Sequence, residues 1–134
     1  MTKPELDIFT GDKDLGLIYK EQNNINVKFI DVSVPFLNTA ARFSINTTKT
    51  RILILQGMHD GEGFNGTTPN QKLGDFVYEM EEWVNANREQ RVAVFTDSLE
   101  NNYTVDAVDW QWTRVKEDPN RIAYNLIMKQ RATY

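Results

Sequence analysis

Residues 103–129 read YTVDAVDWQWTRVKEDPNRIAYNLIMK, and this segment decides the fold because it encodes two strands and the turn that joins them. The run KEDPN at residues 116–120 has the composition of a turn. After the turn, apolar residues fill every second position, namely Ile122, Tyr124, Leu126 and Met128. This alternation is the period of a half-buried β-strand. The segment therefore predicts a long antiparallel hairpin.

The first strand of this hairpin changes its inward face partway along. In a strand, alternate residues point to the same face. In the first part of this strand the apolar residues are Tyr103, Val105 and Ala107, which share one face. In the second part they are Val108, Trp110 and Trp112, which would lie on the opposite face of a regular strand. A β-bulge adds one residue to a strand and so exchanges its two faces. We therefore predict a bulge within residues 107–109.

The strongest helix signal begins at Thr68. Thr68 is a favourable N-cap, Pro69 suits the first helical position, and Gln71 can bond back to the cap. Spacings of three and four then place apolar residues on one face, namely Leu73, Phe76, Val77, Met80 and Val84. The pattern predicts a helix over about residues 69–86 that covers a sheet. We expect Gly74 to mark a close contact between that helix and the sheet.

The remaining strands are predicted from β-branched and aromatic content, at residues 17–21, 25–34, 40–48, 51–56 and 91–96. The polar run 22–24 predicts a turn between the first two. The tally is about seven strands, with the helix between the fourth and fifth. The predicted fold class is mainly β (α+β), a β-sandwich or partly closed barrel flanked by one helix. We expect an irregular N-terminal arm at residues 1–16 and a single domain at residues 17–134.

Composition excludes several classes of function. The 134 residues include no cysteine, which removes disulfides, thiolate nucleophiles and cysteine-containing metal sites. The 15 Lys and Arg are scattered among 19 Asp and Glu, for a net charge of -4. This disfavours tight nucleic-acid binding, because phosphate neutralisation needs clustered cations. No apolar run approaches the roughly 20 residues of a membrane helix, and no secretory signal pattern begins the chain.

His59, Asp60 and Glu62 form the one cluster with metal-ligand residue types. A single histidine without a distant second ligand makes a poor zinc site, and the neighbouring glycines favour a surface loop. The GEGFNG run at residues 61–66 ends before the helix cap, so it is not a dinucleotide fingerprint. Glu79, Glu81 and Glu82 are interpreted as the solvated face of the helix. We predict no catalytic residue, no metal, no cofactor and no enzymatic activity.

Two tryptophans with nearby arginines form the other candidate site, at Trp110, Trp112, Arg114 and Arg121. Such residues could form a stacking platform for single-stranded nucleic acid. Two tryptophans on one strand face are more often core or interface anchors, and the negative net charge favours that interpretation. We therefore predict that these four residues lie near contacts between subunits.

The C-terminal block also carries a resemblance, through Tyr103–Arg114, Glu117–Arg121 and Ile122–Lys129. It is similar to the end of small tail proteins of tailed bacterial and archaeal viruses that share the tail-tube fold. That family includes tube, distal-tail and baseplate-hub subunits. The order of elements upstream is also similar, so the resemblance covers about residues 25–131 in element order, with residue matching limited to about 103–129.

The resemblance implies a structural virion protein, made in the host cytoplasm and located in the tail. Such subunits form rings by joining their sheets to those of neighbours, with a hexameric ring favoured and a trimeric ring possible. The rings stack, or lie at the tube end or in the baseplate, beside other tail or baseplate proteins. DNA passes through the channel without specific binding, and no membrane is involved. Long hairpins and the N-terminal arm are expected to reach adjacent rings.

Two other functions stay open at this point. One is a monomeric β-sandwich that binds a carbohydrate or a peptide through its aromatic residues. The other, less favoured, is a metal-dependent enzyme that uses His59, Asp60 and Glu62. The first predicts exposed tryptophans in an isolated monomer, and the second predicts a stoichiometric metal ion.

Overall fold

Residues 3–33 and 42–131 are described by a computed structural model, with side chains placed for 3–25 and 50–131. They form seven strands and one helix. In chain order these are β1 (Glu5–Ile8), β2 (Gly11–Lys13), β3 (Leu17–Ser33), β4 (Arg42–His59), α1 (Pro69–Val84), β5 (Val92–Thr96), β6 (Asn102–Arg114) and β7 (Ile122–Gln130). The mainly β class with one helix between the fourth and fifth strands is confirmed. No helix in the described ranges is long and apolar enough to cross a membrane.

The strands form one antiparallel sheet in the order β2-β1-β5-β6-β7-β4-β3. β2 ends at Lys13 and β3 begins at Leu17, so the three residues 14–16 connect the two edges. That connection spans at most about 15 Å, whereas a flat sheet of this size would separate its edges by about 29 Å. The sheet is therefore rolled, which confirms the partly closed barrel and not a sandwich of two sheets.

The closure is incomplete. A cavity of about 640 Å³ lies beside the start of β3. Its lining includes Asp14 before β3, Tyr19 on β3 and Ser98 in the turn after β5. Hydrogen bonds tie β3 and the connection before it to the rest of the sheet: among them, the Ser98 backbone N–H donates to Glu21 Oε1 at 3.2 Å, and the Tyr124 hydroxyl donates to the Leu15 carbonyl. Gly57 lies beneath Tyr124, since a Cβ there would sit 2.7 Å from the tyrosine oxygen.

The core fills the concave side of the sheet, and α1 covers it. The capping box is confirmed: Gln71 N–H donates to Thr68 Oγ1, and the Gln71 side chain accepts from the Thr68 N–H. The helix ends at Val84 with Asn85 as C-cap, close to the expected bound. Its buried residues are Leu73, Phe76, Met80 and Trp83. Trp83 was not expected on this face; its Nε1–H donates to the Arg91 carbonyl at 2.7 Å.

The C-terminal hairpin is confirmed in detail. β6 and β7 pair from Val105 to Arg114, with a register shift between Ala107 and Asp109 where the bulge is predicted. The alternate residues of β7 are buried as expected, namely Ile122, Tyr124, Leu126 and Met128. The strand predicted at 91–96 is β5, and the turn predicted at 116–120 joins β6 to β7.

Several predictions about the other strands are wrong. No turn occurs at residues 22–24, because β3 is continuous and pairs with β4 throughout: Gln22 lies opposite Ile54, and Asn24 opposite Ile52. The segments 40–48 and 51–56 likewise belong to one strand, β4, whose described part starts at Arg42 and which runs on to His59. On an edge strand, polar side chains can face solvent while the backbone stays in the ladder. The expected strand end at the step between residues 34 and 35 lies outside the described residues.

Two further expectations also need correction. Residues 5–13, expected as part of an irregular arm, form β1 and β2, and β1 pairs with β5 through a four-residue alternation too short to recognise. The predicted number of strands, seven, thus agrees with the structure, although the segments that form them differ from those predicted. Gly74 does not approach the sheet; it is exposed, and a Cβ there would meet nothing within 4 Å.

Candidate interaction surfaces

His59 is a buried core residue with 1% of its surface exposed. Its Nδ1 accepts a hydrogen bond from the Gly61 backbone N–H at 2.8 Å, so Nε2 carries the proton and donates to the Asp14 carbonyl at 2.8 Å. The ring stacks on Phe76 with centroids 4.0 Å apart. Burial lowers the pKa of His59 below its ordinary value, against the opposing effect of the Asp14 hydrogen bond.

The cluster formed by His59, Asp60 and Glu62 is therefore organised by the backbone. Both imidazole nitrogens are already bonded to main-chain groups. Asp60 Oδ1 accepts from the Glu62 N–H at 2.9 Å, which is the geometry of a turn. Within the described residues, no group of three or more His, Asp or Glu side chains is placed to hold a metal ion.

Trp110 and Trp112 share a strand parity but lie in different surroundings. Trp110 packs on the core: its ring stacks with Tyr124 at 5.2 Å and meets Phe76 edge-on at 5.7 Å. Trp112 lies further along β6 and is 44% exposed. The structure thus separates the two tryptophans: Trp110 is half-buried against the core, and Trp112 lies at the surface.

Arg114 and Arg121 bond within the chain at the end of the hairpin. Arg114 Nη1 donates to Asn70 Oδ1 at 3.1 Å and to the Pro119 carbonyl, which connects β6 to the start of α1. Arg121 pairs with Asp118 at 3.2 Å on the turn. Both side chains are exposed, so these contacts leave much of each guanidinium on the surface.

Sequence reasoning missed the two strand edges of the four-stranded unit β6-β7-β4-β3; β2 is the terminal strand at the other end of the sheet. β3 is last in the sheet order, with β4 as its one neighbour among the described strands, and it exposes 63% of Leu17 and 57% of Tyr19. The second edge is the end of β6. Its pairing with β5 stops at Asp106, while its pairing with β7 continues to Arg114. Residues 109–114, the β6 edge, therefore have no described strand on one side.

The bulge predicted within residues 107–109 is the sequence feature that could have indicated the β6 edge. It lies at residues 107–109, where pairing with β5 ends and the strand leaves that neighbour. Bulges commonly end or redirect strand pairing at sheet edges. Gln111, Trp112, Thr113 and Arg114 are all exposed beyond it.

A two-stranded ribbon extends from the same sheet. β7 pairs with residues 52–59 of β4. Beyond that segment, residues 25–33 of β3 and 42–51 of β4 continue to pair with each other alone among the described strands, and they form the ribbon. The ribbon is about 27 Å long at about 3.4 Å per residue. An isolated two-stranded ribbon is at best marginally stable in water, so this one is suited to contact another chain.

The comparisons agree with this architecture. No protein-family model matches the sequence, and no curated protein matches it. Among solved structures, a chain from the tail of an empty gene transfer agent particle, obtained with C6 helical symmetry, has a TM-score of 0.61 at 9% identity, covering 98% of this chain and 91% of the other. The chain has a tail-tube-like fold.

Two other solved structures have a similar fold. The Dit protein of phage SPP1, described as a hub adsorption apparatus, matches with a TM-score of 0.57 at 12% identity over 96% of this chain and 50% of that one. A chain of the sheath-tube complex of an extracellular contractile injection system matches with a TM-score of 0.52 at 9% identity, covering 97% and 85%. The chain thus spans about half the length of the Dit protein.

Proposed function

We propose that this tail-tube-like chain is a structural protein of a virion tail, which assembles edge to edge into rings that stack in or at the end of the tube or in the baseplate. The observation that carries the proposal is the pair of free edges on opposite sides of one four-stranded unit, β6-β7-β4-β3. An exposed edge is a template for pairing with another chain. The similar solved chains come from tails and a sheath-tube complex, which supports the same role.

The strand directions favour head-to-tail pairing. Neighbouring strands in the four-stranded unit are antiparallel, and the number of strands is even. When a second copy is added by rotation about a ring axis, its β6 therefore runs antiparallel to the β3 it meets. Such a heterologous contact closes into a ring when the rotation closes.

Channel width favours six copies over three. Six units supply about 24 strands, and a spacing of about 4.8 Å gives a backbone diameter of about 37 Å, or about 27 Å between side chains. Three units supply about 12 strands and leave about 8 Å. Since the major groove of DNA alone is about 12 Å wide, the smaller ring would exclude a duplex. We therefore propose a hexameric ring through which DNA passes without specific binding.

The ribbon beyond residues 25 and 51 is proposed to contact an adjacent ring or a neighbouring tail or baseplate protein. Trp112, Arg114 and Arg121 are proposed to lie near the contact made by the β6 edge, because they occupy the end of that hairpin. Trp110 is half-buried and supports the edge by packing against the core. No catalytic role is proposed for any of them.

The test is the native mass of the purified chain across a concentration series, followed by imaging of large species. Trp112→Ala removes about 100 Å² of exposed side chain, worth about 2.5 kcal/mol per contact if that area is buried. We expect the midpoint of assembly to move to a concentration about 70-fold higher. Tyr78→Ala is the matched control, since Tyr78 is an aromatic residue, 64% exposed, that lies on α1 and in neither edge strand.

The outcomes separate the alternatives. Rings or tubes that weaken with Trp112→Ala and persist with Tyr78→Ala support the proposal. Assembly unaffected by Trp112→Ala contradicts the placement of the β6 edge at the contact. A strict monomer at every concentration rejects self-assembly and favours the carbohydrate- or peptide-binding module.

A further inference from the structure

Each edge of the four-stranded unit carries one charge that is already bonded within the chain. On the β3 edge, defined here as residues 17–25, Glu21 accepts the hydrogen bond of the Ser98 backbone N–H at 3.2 Å. On the β6 edge, the Arg114 guanidinium donates to Asn70 Oδ1 at 3.1 Å. Both side chains are therefore held by groups of their own chain.

The other charge on each edge has no ion pair, and the two are opposite in sign. Lys20 is exposed on the β3 edge, and Asp109 is half-buried on the β6 edge. Within the described residues, neither side chain forms a salt bridge. Asp109 Oδ2 accepts a hydrogen bond from Gln111 Nε2 at 3.3 Å. The unit thus presents an unpaired lysine at one edge and an unpaired carboxylate at the other.

Lys20 and Asp109 lie on the same face of the sheet. The strand register forms one row across the unit, in the order Lys20, Gln56, Asn125 and Gln111. Successive side chains of a strand point to opposite faces, and Asp109 is two positions before Gln111. A continuous sheet keeps its two faces when a second copy is added, so Lys20 of one copy and Asp109 of the next share a face as well.

Antiparallel pairing brings these two charges close together. When two units join level, β3 of one copy meets β6 of the next with Lys20 opposite Gln111 and diagonal to Asp109. A stagger of two residues places Lys20 directly opposite Asp109. Side chains that are directly opposite have Cβ atoms about 5 Å apart, and diagonal ones about 7 Å, both within reach of a lysine.

We infer that Lys20 of one copy and Asp109 of the next form an ion pair across the junction between subunits, and that this pair fixes the register of the contact; this rests on the proposed function. A slip by one residue would put Lys20 and Asp109 on opposite faces, because the side-chain period of a strand is two.

The same pair selects the head-to-tail contact. A contact between two β3 edges joins two copies of Lys20, and a contact between two β6 edges joins two copies of Asp109. Such like charges disfavour both two-fold arrangements. The contact between a β3 edge and a β6 edge, which a ring needs, is the arrangement that pairs opposite charges.

The experiment reverses each charge and then exchanges the two. Lys20→Asp puts two carboxylates at the junction, and Asp109→Lys puts two lysines there. At low salt we expect each single variant to raise the midpoint of assembly about tenfold, measured as native mass across a concentration series. The double exchange, Lys20→Asp with Asp109→Lys, keeps the net charge and should return the midpoint to within about threefold of wild type.

A mixture of the two single variants gives an independent readout. Each variant supplies the charge that the other lacks, so an equimolar mixture should assemble with the two chains alternating around the ring. Strict alternation closes only when the number of copies is even, which a hexamer satisfies and a trimer does not. Native mass spectrometry of the mixed rings should therefore find the two variants in equal numbers.

Glu82→Lys is the matched control for Asp109→Lys. Glu82 is exposed on α1, and its reversal changes the net charge by the same amount. We expect its midpoint to stay within about twofold of wild type, since an isolated surface charge contributes little. Thermal melts of the dissociated chains check that every variant is folded. Should a reversal unfold the chain, Lys20→Gln and Asp109→Asn replace it and should each raise the midpoint about threefold.

The outcomes separate this inference from the proposed function. If the wild type forms rings and the folded charge variants assemble at the wild-type midpoint, the ion pair is absent and the proposed function stands. The same holds if the single variants fail and neither the exchange nor the mixture restores assembly. If the wild type stays monomeric at every concentration, the proposed function is rejected and the inference with it.

Discussion

The hydroxyl group of Tyr124 is expected to hold the rolled sheet closed, and Tyr124→Phe removes it alone. The hydroxyl donates to the Leu15 carbonyl in the short connection between the sheet edges. Tyr124 and Leu15 are 2% and 1% exposed, and burial raises the pKa of the tyrosine, so the hydroxyl is neutral and donates. The ring contacts with Phe76 and Trp110 are retained by phenylalanine.

The expected cost follows from the buried carbonyl left without its donor. Leaving such a group unpaired costs about 1–3 kcal/mol. A chain of 134 residues has an unfolding entropy of about 0.28 kcal/mol/K. The melting temperature should therefore fall by about 4–11 °C, with a matching fall in the free energy of unfolding measured by urea titration.

Tyr103→Phe is the matched control. The Tyr103 hydroxyl accepts a longer bond of 3.3 Å from Asn23 Nδ2 at the surface, where water can replace it. We expect its removal to change the free energy of unfolding by less than about 0.5 kcal/mol. If Tyr124→Phe and Tyr103→Phe have the same small effect, the Tyr124 hydroxyl does not hold the closing connection and the reasoning is refuted.

Two other predictions concern pH and glycine. The lowered pKa of His59 means that the unfolded chain binds a proton more readily than the folded chain does. The contribution of His59 to the free energy of unfolding should therefore be constant above about pH 6.5 and fall as the pH drops below it. An NMR titration of this one histidine checks the prediction, and an apparent pKa at or above about 6.5 contradicts it. Gly57→Ala should destabilise by about 1–3 kcal/mol because its Cβ would sit 2.9 Å from the Leu17 carbonyl, whereas Gly74→Ala, exposed on the helix, should stabilise by up to about 1 kcal/mol. Thermal melts measure both, and equal signs would refute the glycine assignment.

Local sequence patterns predicted the helix and the strands in which buried residues recur at regular spacing. The capping residues Thr68 and Gln71 fixed the helix start, and the parity change before Trp110 located the bulge, because both signals lie within a few residues of chain. The prediction of no catalytic set also came from local patterns. The burial of His59 was not predicted, because the hydrogen bond from its Nε2 to the Asp14 carbonyl joins residues 45 positions apart that only the closure of the sheet brings together.

The edge strands show where local patterns failed. Gln22 and Asn24 look like a turn, but β4 lies beside them and supplies backbone partners that no local signal reveals. The free edge at residues 109–114 depends on where β5 stops pairing. Trp110 and Trp112 have the same residue type and parity, and only the extent of the core separates them.

The sequence by itself determined the mainly β class, the capped helix and the bulged C-terminal hairpin, because each depends on residues close together in the chain. Only the tertiary structure decided the rolled single sheet, the closing contact at Tyr124 and the two free edges of the four-stranded unit. These depend on which strands become neighbours, and strand pairing between distant segments is set by burial of a shared core.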